Sequence, residues 1–139
     1  MPAPDLNEAN LRVAIVEDDD EIRAHLALLI SRARGVELTG QYASGEDAVS
    51  QIPRHPPQVV LMDIQLPGMS GIECVRALKE AVPPVQILML TIYEDSEQIF
   101  QSLQAGASGY LLKRTPSAQL LEGIRDVLKT PPTAPAEQP

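Results

Sequence analysis

Tryptophan is absent from this 139-residue chain, phenylalanine and cysteine each occur once, and tyrosine occurs three times. With aromatics at 3% of the composition, the stacking platforms that single-stranded nucleic acid requires are missing. Positive charge is also scarce. Eleven lysines and arginines stand against 19 aspartates and glutamates, a formal charge of −8, so no basic face for a phosphate backbone is expected. The lone Cys74 excludes an internal disulfide. No apolar run approaches the ~20 residues of a membrane helix. The first ten residues have neither a basic start nor an apolar stretch, so no secretory leader and no membrane association are expected, and a reducing, cytoplasmic setting is the default.

What remains is ordinary globular material, 44% hydrophobic and 22% charged, at a length that suits one domain with a real core. It is organised around residues 59–73. Val59, Val60, Leu61 and Met62 form a short continuous apolar run, as a strand buried on both faces requires. Asp63 follows at once. A carboxylate there is costly to bury without a charged partner, so a strand end with a function is expected. Pro67, Gly68 and Gly71 then make a loop before a helical pattern begins at Ile72.

The same grammar recurs along the chain. Arg12 to Val16 reads as a strand running into four acids, Glu17, Asp18, Asp19 and Asp20. Ile22, Leu26, Leu29, Ile30 and Ala33 follow at helical spacing up to Gly35. Asp19 or Asp20 can cap that helix, which accounts for one or two of the four carboxylates but not for all. Val36 to Tyr42 is a weaker strand, and Ser44 opens a short helix with Ala48, Val49 and Ile52 inward. After Asp63, the third helix carries Ile72, Val75, Leu78 and Val82, with Cys74 beside that face as a small buried hydrophobe. Val85 to Leu90 is a strand ending in Thr91. Asp95 or Ser96 can cap a helix with Ile99, Phe100 and Leu103 inward and Gly106 closing it. Gly109 to Leu112 is a last strand, ending in Lys113, and Ser117 is expected to cap a helix bearing Leu120, Leu121, Ile124, Val127 and Leu128. His25 and His55 read as solvated surface residues.

Five strands alternating with five helices make a mostly parallel sheet covered on both faces and joined by right-handed crossovers. In such a sheet all carboxyl ends share one edge, where ligands bind. Glu17, Asp18, Asp63, Thr91 and Lys113 should therefore meet in one shallow pocket. Each pair of carboxylates at ~4 Å repels by about 4 kcal/mol at an effective dielectric of ~20, and Lys113 offsets only part of this. An all-oxygen cluster with room for water suits magnesium. Beside such an ion a carboxylate can act as nucleophile toward a phosphoryl group, with Lys113 and Thr91 near the phosphoryl oxygens.

The motifs Val16-Glu17-Asp18, Leu61 to Gly71, Met89-Leu90-Thr91 and Gly109 to Lys113, in that order and each at a strand end, make the chain resemble the CheY-like receiver domain of two-component response regulators. The segment from Tyr93 to Lys113 looks most like the NarL/FixJ subgroup with LuxR-type output. The resemblance implies a doubly wound (βα)5 fold of the flavodoxin type with strand order 2-1-3-4-5. It also implies that Asp63 is the phosphoacceptor for a sensor histidine kinase, and that the chain is a switch, not an enzyme in the ordinary sense. Asp18, Asp63 and the backbone carbonyl of Gln65 would bind Mg2+ directly, and Glu17 through water. Lys113 would pair with the phosphorylated aspartate, Thr91 would be the switch hydroxyl and Tyr110 the aromatic that follows it. Gln65 and Tyr93 stand where the family tunes the lifetime of the acyl phosphate. The surface of the fourth helix, fifth strand and fifth helix would change on phosphorylation, with homodimerisation as one consequence. DNA would be reached only through an output domain beyond these residues.

The expected organisation is a loose lead-in over 1–10, a receiver over 11–129, and a proline-rich linker or tail over 130–139, where Pro131, Pro132, Pro135 and Pro139 fall. A stand-alone receiver or phosphorelay carrier fits the same residues. A magnesium-dependent phosphatase with an aspartyl nucleophile fits less well, because Gln65 stands where its second acid belongs. A flavin- or nucleotide-binding domain fits least, because the loop after the first strand is acidic. Two features depart from the receiver pattern. Arg114 follows Lys113 where proline in a cis bond is common, and the bulky Ile92 follows Thr91 where a small residue is common.

Overall fold

A computed structural model describes residues 10–92 and 96–128. Asn10 apart, the expected lead-in lies outside the described residues, as do the tail, Tyr93, Asp95 and Lys129. In chain order the elements are β1 (Leu11–Val16), α1 (Asp20–Arg32), β2 (Val36–Tyr42), α2 (Gly45–Gln51) with a 3-10 turn at Ile52–Arg54, β3 (Val59–Asp63), α3 (Gly71–Ala81), β4 (Gln86–Thr91), α4 (Ser96–Ala105), β5 (Gly109–Leu112) and α5 (Ser117–Asp126). All pairings are parallel and the sheet order is β2-β1-β3-β4-β5, as expected. No helix among the described residues is long and apolar enough to cross a membrane.

The period-two alternation of the central strands divides the interior into two layers. Ala14, Val16, Val60, Met62, Ile87 and Met89 pack with Ala48, Cys74, Val75 and Leu78 on the side of α2 and α3. Val13, Ile15, Val59, Leu61, Leu88 and Leu90 pack with Leu26, Ile30, Leu120 and Ile124 on the side of α1 and α5. Every residue of β3 and β4 is buried, and apart from Asp63, Gln86 and Thr91 at their ends these two strands are unbroken apolar runs.

Register and alternation together position the strand ends. Val16 lies opposite Met62, Asp63 opposite Leu90, and Leu90 opposite Leu111. Glu17 therefore falls level with Asp63. Continuing the alternation, Glu17, Asp63 and Lys113 share the face of Ile15, Leu61 and Leu111, toward α1 and α5. Thr91 shares the face of Met89, toward α2 and α3.

The helix starts are set by side-chain caps. Asp19 caps α1, accepting from the amides of Glu21 and Ile22, and Ser44 caps α2. Ser70 and Glu73 form a reciprocal capping box at α3. Two local expectations need correction. Ser117 is the first residue of α5 and not its cap; the cap position is Pro116, which has no side-chain donor or acceptor to offer. In α4, Ile99 is buried, but Phe100 is 59% exposed and Leu103 41% exposed. The inward position one turn after Ile99 belongs to Ser102, fully buried, whose hydroxyl donates to the Gln98 carbonyl at 2.8 Å. A reading by apolarity alone passes over a serine whose polar group is satisfied within its own helix.

Gly71 is where α3 presses on the end of β3. A methyl built there would stand 2.6 Å from the Asp63 carbonyl oxygen and 2.9 Å from that of Ile64. We expect Gly71→Ala to lose about 2–3 kcal/mol in urea unfolding, as overpacking against backbone does. Ser70→Ala, which removes one cap bond, should lose about 1 kcal/mol. A Gly71→Ala loss no larger than that of Ser70→Ala would contradict this close approach.

Candidate functional site: an acidic cleft at the carboxyl edge of the sheet

Glu17, Asp18, Asp63, Gln65, Thr91 and Lys113 line one cleft of about 230 Å³, with Asp19, Ile22, Ile64 and Ile92 completing its wall. Glu17, Asp18 and Asp63 each bring a carboxylate oxygen within 4.8 Å of the other two. Glu17 and Asp63 are buried, 1% and 4% exposed, whereas Asp18 is exposed. Six of the eight residues expected at the site are thus brought together. Tyr110 is not among them: its ring is 42% exposed and stands outside the cleft. Tyr93 falls outside the described residues.

Lys113 is the cation of the site. Its Nζ lies 2.9 Å from Glu17 Oε1 and 3.3 Å from Asp63 Oδ1. The main chain of β4 fixes its root, because the Lys113 amide donates to the Thr91 carbonyl at 2.8 Å. Burial works against the ammonium, but its contacts with Glu17 and Asp63 outweigh that and raise the Lys113 pKa. The Lys113–Arg114 peptide is trans. Thr91 is buried at the end of β4, beside Ile92, which is largely exposed at the rim.

Asp63 carries the tension of the arrangement. Burial raises its carboxyl to about 6. The Gln65 amide, donating to Asp63 Oδ1 at 3.0 Å, pulls it back, the charge of Glu17 pushes it up, and Lys113 pulls it down. Three carboxylates facing one ammonium leave the cleft negative, and oxygen donors alone supply it. That donor set, the Glu17, Asp18 and Asp63 carboxylates, is consistent with a hard divalent cation such as magnesium.

Two supports of this site carried no sequence signal. Glu46 reaches from α2 to accept from the Met69 amide at 3.0 Å, and it lies under Gly68, whose φ of 71° a side chain would resist. This ties down the loop that follows Asp63. Arg23 reaches back from α1 to the carbonyl of Glu17 at 2.8 Å. Neither contact follows from spacing, because both join a side chain to backbone outside its own helix. Cys74 is buried with its thiol pushed up to about 12, by burial first and then by Glu46, in keeping with a packing role.

A family model described as the response regulator receiver domain matches residues 13–125. A transcriptional regulatory protein of Bacillus subtilis, YxjL, is 33% identical over 120 residues, which are 86% of this chain and 55% of that protein. The oxygen regulatory protein NreC of Staphylococcus haemolyticus matches to the same extent, 33% over 86% of this chain and 55% of its own length. Among solved structures, the signal receiver domain of the NarL response regulator of Mycobacterium tuberculosis superposes with a TM-score of 0.83 at 27% identity, covering 88% of this chain and 99% of that domain. The chain spans about half the length of the curated relatives it matches.

The raised Asp63 pKa has a consequence for stability. The folded protein holds this proton more tightly than the unfolded chain, so stability falls as pH rises from about 4 through about 6 and stays lower above. Asp63→Asn removes that penalty. In metal-free thermal melts we expect Asp63→Asn to exceed the wild type by about 1–3 kcal/mol at pH 8, with the gain fading toward pH 4. A difference that does not change with pH would show that Asp63 is not the strained group.

Proposed function

We propose, from the premise that this chain belongs to the response regulator receiver family, that it is a magnesium-dependent switch phosphorylated on Asp63 by the phosphohistidine of a sensor kinase. The observation that carries the reading is the triad of Glu17, Asp18 and Asp63 carboxylates gathered within 4.8 Å beside the Lys113 ammonium. A receiver domain is a phospho-switch and not a classical enzyme. Partners of two kinds follow: the kinase, and whatever reads the switched surface.

In the transfer, a carboxylate oxygen of Asp63 forms the bond to phosphorus as the bond to the histidine nitrogen breaks. The Gln65 amide and Lys113 hold Oδ1 and so orient the nucleophile before the donor arrives. Bound magnesium would supply neutralisation of charge on the phosphoryl oxygens. Lys113, already in the cleft, would share its ammonium with the acyl phosphate. Thr91 would offer its hydroxyl from the neighbouring strand, and Gln65 and Tyr93 would set how readily water reaches the product.

The output reading follows from charge and from surface. Phosphorylation takes Asp63 from −1 to near −2, so β4 and β5 must adjust around it. Six large apolar side chains are exposed among the described residues, and four of them, Ile92, Phe100, Leu103 and Tyr110, lie on or beside β4, α4 and β5. Exposed apolar side chains on these elements suit a face whose partner, including a second copy of the chain, changes with phosphorylation. Because the matched region covers only 55% of each of these relatives and both bear regulatory names, we place a transcriptional output segment downstream of this switch. A receiver acting alone uses the same chemistry.

Magnesium with beryllofluoride, which mimics the phosphoryl group, is expected to move the amide NMR signals of Thr91, Lys113 and Tyr110 in the wild type. Asp63→Asn should abolish the response. Spectra that stay unchanged with Asp63 intact would overturn the assignment.

A further inference from the structure

The acidic turn between β1 and α1 is held at several polar points. The Glu17 amide donates to the Tyr42 carbonyl at 3.0 Å, and Glu17 Oε2 accepts from the Asp19 amide at 3.1 Å. Glu17 Oε1 faces Lys113, and Asp19 Oδ1 caps the helix through the amides of Glu21 and Ile22. A further connection comes from within α1. Arg23, in the first turn of α1, donates from Nη1 to the Glu17 carbonyl at 2.8 Å and from Nη2 to Asp20 Oδ1 at 2.7 Å. Its side chain is only 20% exposed, so the guanidinium is packed in place.

We propose that Arg23 is a positioning residue for the divalent cation, pinning the Glu17–Asp18 backbone so that Asp18 is presented to Asp63. This rests on the reading that the cleft takes magnesium. The reason lies in which group Arg23 grips. A carbonyl oxygen belongs to the peptide joining Glu17 to Asp18, so holding it fixes the plane from which the Asp18 side chain departs. A guanidinium does this with a rigid fork, one arm on the carbonyl and the other on Asp20, and lysine has no equivalent second arm.

The charge of Arg23 acts in the opposite sense. A fixed cation close to the cleft repels an incoming cation, so an arginine that contributed charge alone would weaken metal binding. The two roles therefore predict opposite signs when the charge is removed. Supports one bond removed from a metal ligand are commonly worth about tenfold or more in affinity.

The test is a titration of the metal-free chain with magnesium chloride, followed by calorimetry and by the amide signals of Asp18 and Asp63, alongside metal-free melting temperatures. We expect Arg23→Gln and Arg23→Lys each to weaken magnesium binding by about tenfold. Asp20→Asn, which spares the bond to the Glu17 carbonyl, should stay within about twofold of wild type. Metal-free melting temperatures should stay within about 3 °C of wild type, which separates positioning from general destabilisation. Tighter or unchanged binding in Arg23→Gln overturns the proposal, and so does a loss in Asp20→Asn as large as that in Arg23→Gln. If the wild type itself takes up no magnesium, the reading of the cleft fails first and this proposal falls with it.

Discussion

The contact on which the structure turns is the Lys113 ammonium set between Glu17 and Asp63, 2.9 Å from one and 3.3 Å from the other. One cation faces two buried acids, and Asp18 adds a third carboxylate at the mouth. Buried ion pairs of this kind add little net stability even when charges balance, because desolvation consumes most of the attraction. Here they do not balance. The protein holds a local excess of negative charge at the carboxyl edge of its sheet, and burial first, then the charge of Glu17, raises the proton affinity of Asp63. Such strain persists only where the rest of the fold over-determines it. Two apolar layers packed against fully buried central strands supply that determination.

The site is also a product of topology in a strict sense. Three of its four charged residues, Glu17, Asp63 and Lys113, stand at the ends of β1, β3 and β5, with the outer two nearly a hundred positions apart in sequence. No hairpin or single βαβ unit contains them all. They meet because parallel strands in the order β2-β1-β3-β4-β5 share an edge, and because alternation turns Glu17, Asp63 and Lys113 toward one face. Moving the register of β3 by one residue would turn Asp63 to the opposite face and leave Lys113 with Glu17 alone.

This also explains what the sequence could reveal. The apolar runs of β3 and β4 and the helical spacing of Leu26, Ile30, Leu120 and Ile124 are signals of burial, and burial was what they reported. The parallel-sheet rule aligns the strand ends and gathers Glu17, Asp18, Asp63, Thr91 and Lys113 from sequence alone. Phe100 and Leu103 were misplaced because apolarity does not say which side of a short helix meets the core when a serine can occupy the inward position. The reach of Arg23 to the Glu17 carbonyl and of Glu46 to the Met69 amide left no trace, since contacts with backbone select no partner residue type. Ser70 and Glu73 are the exception: their spacing is a recognised helix start, and the expectation of a plain loop passed over it.

The division of the site between two faces bears on how a charge at Asp63 could be felt elsewhere. Glu17, Asp63 and Lys113 lie toward α1 and α5, whereas Thr91 closes β4 on the other side, next to the loop that leads to α4. The bond from the Lys113 amide to the Thr91 carbonyl joins the ends of β4 and β5 through main chain. Under the proposed reading of Asp63 as phosphoacceptor, added charge there would meet groups from both faces of the sheet. Phe100, Leu103 and Tyr110 are exposed on α4 and β5, where even a small displacement would change what an apolar partner can cover.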